Sequence, residues 1–143
     1  MQELEVYVPN NLEVKWAIVR PKSITKDTKI KEIIVCSFYN PPKSKKVKCL
    51  LDHIIGTLFS LKARFPLAGY VIGGDKNEMD VSSLTDALPK CSQMVKTPTY
   101  KNKILDIIIT NMEKMYDNPE ILKEVLPDNP VTHKPSDHLV PVI

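Results

Sequence analysis

The stretch Tyr70-Val-Ile-Gly-Gly-Asp-Lys-Asn-Glu-Met-Asp80 decides how the rest of the chain is read: a short apolar run stops at two glycines and then presents a carboxylate, Asp75, and an amide, Asn77. Gly73 and Gly74 can take backbone angles closed to other residues, so the reading is a strand from Tyr70 to Ile72 followed by a sharp turn. Asp75 and Asn77 then stand two apart, on one side if the backbone stays extended. Taken alone, Gly-Gly-Asp followed by polar residues is an ordinary turn, and the surrounding sequence has to say whether it is more.

Immediately upstream, Val47, Leu50, Leu51, Ile54, Ile55, Leu58 and Phe59 recur at three- and four-residue spacing, the stripe of an amphipathic helix. Ser44 is placed to cap its start and Pro66 to stop it. Before the helix, Ile33-Ile-Val-Cys-Ser-Phe-Tyr39 is a continuous apolar run, as in strands covered on both faces, and Asn40-Pro41-Pro42 ends it. Strand, helix and strand make one βαβ unit whose helix covers the sheet. Earlier still, Leu12, Val14, Trp16 and Ile18 alternate with Glu13, Lys15 and Ala17, the period-two pattern of a strand with one buried face. Pro21 and the polar segment from Lys22 to Lys29 make a turn between the first two strands.

Downstream, Val81 to Leu88 reads as a short helix capped by Asp80 or Ser82, Gln93 to Val95 as a brief strand, and Pro98 to Lys101 as a turn. Ile104-Leu-Asp-Ile-Ile-Ile-Thr110 is a strongly β-branched strand interrupted only by Asp106. A carboxylate buried alone in such a strand costs several kcal/mol, so Asp106 belongs at an exposed rim or beside a partner. Asn111 to Pro135 reads as connection, with a helical turn at Asn118-Pro119. The chain closes with Ser136-Asp-His-Leu-Val-Pro-Val-Ile143, a polar triplet leading into an apolar strand.

With 143 residues, 43% of them hydrophobic and 26% charged, this is the composition of one globular domain with no interior boundary. The net charge is only +3, yet the first fifty residues hold ten Lys or Arg against five Asp or Glu. That asymmetry suits a polyanionic partner, although a solvated lysine face is the plainer explanation. Cys36, Cys49 and Cys91 have no Cys-x-x-Cys spacing, which points to buried, reduced thiols and an intracellular protein, and away from a zinc site or disulfide framework. No stretch is long and apolar enough to span a membrane, and the N-terminal residues do not read as a signal peptide; a cytoplasmic or nuclear location is expected.

Three strand ends therefore carry unexpected polar groups: Asp75 with Asn77, Asp106, and Asp137 with His138. If their strands share a sheet, the groups gather along one rim. Carboxylates hold a hard cation or take a proton from water, an amide fixes that water, and an Asp beside a His orients the imidazole toward a phosphate. In this order, Phe38-Tyr39-Asn40-Pro41-Pro42, Gly74-Asp75-Lys76-Asn77, Pro98-Thr99 before Leu105-Asp106-Ile107-Ile108-Ile109-Thr110-Asn111, and Ser136-Asp137-His138 resemble the endonuclease/exonuclease/phosphatase superfamily. Within it, they look most like the endonuclease domain of LINE-type retrotransposons. The resemblance runs from about Leu12 to Ile143.

What the resemblance implies is an α/β fold, half of a four-layered sandwich: one mixed β-sheet with helices on its outer face, residues 1–143 forming the second half of a domain. The implied activity is metal-dependent hydrolysis of a phosphodiester in DNA by an in-line water, with Mg²⁺ or Mn²⁺ as cofactor. Asp75 would be the base or water-orienting carboxylate and Asn77 would position the nucleophile. His138, held by Asp106, would bind the scissile phosphate, Asp137 would lie by the metal with Asp75, and Tyr39 would contact the phosphate or leaving oxygen. Without the resemblance, Tyr39 is a packing aromatic, His138 a loop histidine, Asp106 a rim residue and Asp137 a turn former. His53 and His133 read as structural or solvated, and Lys43, Lys45, Lys46 and Lys48 as either a nucleic-acid contact or a wet helix start.

Two departures from the pattern bear on activity. The first half of the family's domain supplies an Asn and the Glu that is the principal metal ligand, and neither matches here: Glu3 and Glu5 precede the matched region too closely. Lys76 stands where the family has an apolar or aromatic residue, a cation expected to lower the basicity of Asp75. The open face of a lone sheet would favour a homodimer or a complementing N-terminal half, and the alternative to a phosphodiesterase fragment is a non-catalytic remnant or binding module that needs another polypeptide.

Overall fold

The computed structural model describes residues 2–4, 6–21, 29–88, 90–115, 120–122 and 140–142. The alternating segment forms β2 (Glu13–Val19), with Val14, Trp16 and Ile18 buried and Glu13 and Lys15 exposed. A two-residue strand that the sequence pattern does not announce, β1 (Gln2–Glu3), pairs antiparallel with its far end. β3 (Ile33–Tyr39) lies antiparallel along the whole of β2. Only one face of β3 is buried, through Ile34, Cys36 and Phe38; Ser37 and Tyr39 are exposed, so the expected double-sided burial does not occur.

Helix α1 (Val47–Arg64) buries Leu50, Ile54, Leu58 and Leu61, while Phe59 falls outside the stripe and is 52% exposed. Ser44 sits too early to cap it: its Oγ accepts from the Lys46 amide at 3.1 Å, and the helix begins with no side-chain cap. The end is firmer, with the Phe65 amide bonded to the Leu61 carbonyl and Lys62 and Arg64 in the last turn, where the helix dipole favours cations. The chain then returns as β4 (Gly69–Asp75), parallel to β3, completing the βαβ unit.

The glycines of β4 do not make the expected turn. No glycine has a positive φ, and the strand continues through both of them to Asp75. Gly74 is required instead for close approach, since a Cβ there would collide with the backbone carbonyl oxygen of Phe38 on β3, whereas Gly73 has ordinary room. The left-handed turn residue is Asn77, at φ 47°, a conformation that Asn tolerates better than most residues.

Asp80 prepares helix α2 (Ser82–Ala87) by accepting bonds from the amide and the hydroxyl of Ser82. β5 (Ser92–Gln93) and β6 (Asp106–Thr110) complete a six-stranded mixed sheet in the order β1-β2-β3-β4-β6-β5. A 3-10 turn spans Glu113–Met115, and the expected closing strand, β8 (Val140–Val142), pairs with β7 (Glu120–Leu122) in a separate two-stranded sheet beside β6. The helical turn expected at Asn118-Pro119 lies outside the described residues.

Both helices cover the same face of the sheet. One core cluster joins Leu50, Ile54 and Leu58 of α1 and Leu84 of α2 to Trp16, Cys36, Phe38, Ile72, Ile107 and Ile109. The alternate residues Ala17, Val35, Val71 and Ile108, on the other face, are half-buried. Of the three cysteines, all free, Cys36 is buried as expected, but Cys49 is exposed on α1 because it lies off the apolar stripe. No helix among the described residues is long and apolar enough to cross a membrane.

Candidate active site at one end of the sheet

Strand register brings together residues that are far apart in sequence. Tyr39 is opposite Asp75, and Asp75 is opposite Asp106. Glu13 is opposite Tyr39, so a single row crosses β2, β3, β4 and β6 at one end of the sheet. Directly opposed residues share a face and stand about 5 Å from each other across neighbouring strands. Tyr39 is 39% exposed, and Asp75 and Asp106 are half-buried. Asp106 is thus at the rim, as its cost in a buried strand required.

The loop after β4 is held from several directions. One oxygen of Asp75, Oδ1, accepts from the backbone N–H of Asn77 at 2.9 Å. The Asn77 side-chain amide donates to the Asn40 carbonyl at 2.8 Å, and the Asn40 side-chain amide donates to the Lys76 carbonyl at 3.0 Å. A backbone bond from Asn40 N–H to the Asp75 carbonyl at 2.9 Å closes the junction. Asn40 is only 3% exposed.

Lys76 is engaged within its own loop. Its ammonium donates to the carbonyls of Asn77 at 3.3 Å and Met79 at 3.2 Å, so the charge braces its own loop. It is felt at Asp80, whose carboxyl is held below the ordinary carboxylate range first by the bonds from Ser82 and last by the Lys76 charge.

Asp106 is positioned from the other side. Thr99 is fully buried, and its hydroxyl oxygen accepts from the amides of both Leu105 and Asp106 at 3.1 Å. A tight hairpin, in which Tyr100 bridges Lys103, leads into that strand. The Lys76 amide donates to the Leu105 carbonyl at 2.7 Å, so the loop after β4 and the start of β6 are joined as well. Beside the row, an open groove of about 300 Å³ is lined by Asn11, Glu13, Tyr39, Asn40, Ser44 and Lys45, among others.

Of the residues singled out in the sequence, Tyr39, Asp75, Asn77 and Asp106 are therefore brought to one place. Asp137 and His138 lie outside the described residues, as does His133. Sequence reading missed Asn40 and Thr99 as organisers of the site. The signal was, for Asn40, a polar residue between a strand end and a proline and, for Thr99, a polar residue after Pro98, which a turn explains equally well. His53 does have a partner: its Nε2 accepts from the Trp16 indole N–H at 3.4 Å, edge to face, and burial lowers its pKa.

Among solved structures the chain is similar to the endonuclease domain of TRAS1, a telomere-specific non-LTR retrotransposon, with a TM-score of 0.55 over 89% of this chain at 14% sequence identity. The chain spans 60% of the length of that structure. At this identity the likeness is one of fold. No family model matches the sequence, and no curated protein does.

Proposed function

We propose that this chain is part of a nuclease-like domain that hydrolyses phosphodiesters in DNA. The observation that carries the proposal is the row of Tyr39, Asp75 and Asp106 across three neighbouring strands, with Asn77 tied to Asp75, in a fold like that of a retrotransposon endonuclease domain. Asp75 keeps one carboxylate oxygen for a proton from the attacking water while Asn77 holds its other oxygen. Tyr39 has a hydroxyl to offer a phosphate oxygen, and Asp106 is the carboxylate that would orient His138 toward it. An intracellular setting, cytoplasmic or nuclear, belongs to the same reading.

The described residues do not by themselves fit the divalent metal that the resemblance implies, Mg²⁺ or Mn²⁺. No group of three or more His, Cys, Asp or Glu side chains that could hold an ion gathers among them. Asp75 and Asp106 offer a pair of carboxylates, and a hard octahedral ion would need Asp137 or ligands from another polypeptide besides. The half-buried apolar positions Ala17, Val35, Val71 and Ile108 make the second sheet face a surface for such a complement, either an N-terminal half completing a four-layered sandwich or a second copy of the chain.

The want of a three-ligand group among the described residues favours one second reading: a non-catalytic remnant or binding module. Nicking of supercoiled plasmid by the purified chain with Mg²⁺ or Mn²⁺, set against EDTA and the Asp75→Ala and His138→Ala variants, separates the two. Metal-dependent nicking abolished in both variants is the expected result. Absence of nicking by a folded chain supports the remnant, and nicking that survives both substitutions refutes the site.

A further inference from the structure

We propose that Asn40 is the positioning residue of this site, holding the end of β3 and the loop after β4 as one unit so that Asp75 and Asn77 keep their mutual bond; the catalytic side of this inference rests on the phosphodiesterase reading above. Asn40 is a buried polar residue whose main chain and side chain are all engaged with the same three residues. Its N–H donates to the Asp75 carbonyl, its side-chain amide to the Lys76 carbonyl, and its carbonyl accepts from the Asn77 side chain. The Asn77 side chain thus bonds the main chain of Asn40, and the Asn40 side chain bonds the main chain of Lys76, next to Asn77, across the junction of two parallel strands. A backbone turn needs no such pair of side-chain bonds.

The consequence is specific. Asn77 sits at φ 47°, a conformation that must be held against the ordinary preference of the chain, and from it the Asn77 N–H reaches Asp75 Oδ1. With that oxygen engaged, the other is the one available to a proton or ligand. Tyr39, adjacent to Asn40 in sequence and opposite Asp75 in register, is carried by the same unit. Asn40 therefore fixes the relative placement of three site residues without being in the row itself.

Amide hydrogen exchange of the 143-residue chain, followed residue by residue by NMR, tests this. Asn40→Ala should lower protection of the Asn77 amide about tenfold, the scale of losing one partly buried hydrogen bond, and leave Ile72 at the centre of β4 unchanged. Asn40→Asp should lower it as well at about pH 7, because an ionised carboxylate has no proton to give the Lys76 carbonyl. Unchanged protection of Asn77 in Asn40→Ala, or in Asn40→Asp at about pH 7, would overturn the proposal. If the chain nicks plasmid, Asn40→Ala should lower kcat with little change in KM, whereas an equal loss through KM alone would count against positioning. Failure of the wild type to nick defeats the catalytic reading and leaves the exchange experiment to decide the role of Asn40.

Discussion

The two ends of β6 carry polar residues that look alike in sequence and behave differently in the fold. At its far end, Thr110 is fully buried; its hydroxyl donates to the Tyr70 carbonyl at 2.7 Å and accepts from the Met112 amide at 3.1 Å. Next to it, the Asn111 side-chain oxygen accepts from the Tyr70 amide at 2.9 Å and extends the β4–β6 ladder by one bond. At the near end, Asp106 is half-buried, opposite a second carboxylate, with its backbone amide held by Thr99. A polar side chain that closes a ladder is structural. Asp106, by contrast, lies in the row of candidate site residues, opposite Asp75 and two strands from Tyr39.

This contrast can be broken in three ways. The largest effect belongs to Gly74, just before the site: Gly74→Ala drives a methyl into the Phe38 backbone and should cost about 3 kcal/mol in urea unfolding, against little for Gly73→Ala. Equal costs at the two glycines would mean that β3 and β4 can part freely. Next, Thr110→Val leaves a buried carbonyl and amide without their partner and should destabilise by about 2 kcal/mol, while Asp106→Asn should change stability by less than about 0.5 kcal/mol in either direction. The reverse ranking would assign the structural role to the near end.

The smallest effect lies away from both ends, at the Trp16–His53 contact between β2 and α1. Only a neutral His53 Nε2 can accept the indole N–H, and burial holds the folded-state pKa below the usual 6.5. The unfolded chain then binds the proton more readily than the folded one. The stability linked to His53 is full above pH 6.5 and is lost as pH falls below it, levelling off beneath the folded-state pKa. Trp16 is the sole tryptophan, so its fluorescence in the folded protein should titrate with a midpoint below 6.5 and cease to do so in His53→Gln. A midpoint above 6.5 would contradict burial as the governing influence.

Much of this architecture was legible along the chain. The alternation in β2, the 3.6-residue stripe of α1 and the β-branched run of β6 are local patterns of period, and each became the element it suggested. Asp75, Asn77 and Asp106 were legible because polar groups at the ends of apolar strands are costly enough to be conspicuous, whereas Tyr39 entered only through the family resemblance. Local pattern failed once because the deciding neighbour was distant and twice because it does not fix where a side chain reaches. The glycines of β4 looked like a turn, and it is the Phe38 carbonyl on another strand that makes Gly74 necessary. Ser44 looked like a cap, but the amide it binds is that of Lys46, and the helix starts only at the next residue, Val47. Lys76 looked like a neighbour of Asp75, but its long stem turns the charge back onto its own loop.

The sequence alone determined the βαβ unit, the buried stripe and three candidate site residues, Asp75, Asn77 and Asp106, because helix and strand periodicity and the cost of stranded polar groups are properties of short segments. Tertiary structure decided the rest. Only the parallel register of β3 with β4 and the antiparallel register of β4 with β6 bring Tyr39, Asp75 and Asp106 into one row. Only the packing of that junction makes Asn40 and Thr99 its organisers. Register and burial depend on which backbone lies alongside which, and that pairing joins residues about 30 or more apart in the chain, beyond the reach of any local pattern.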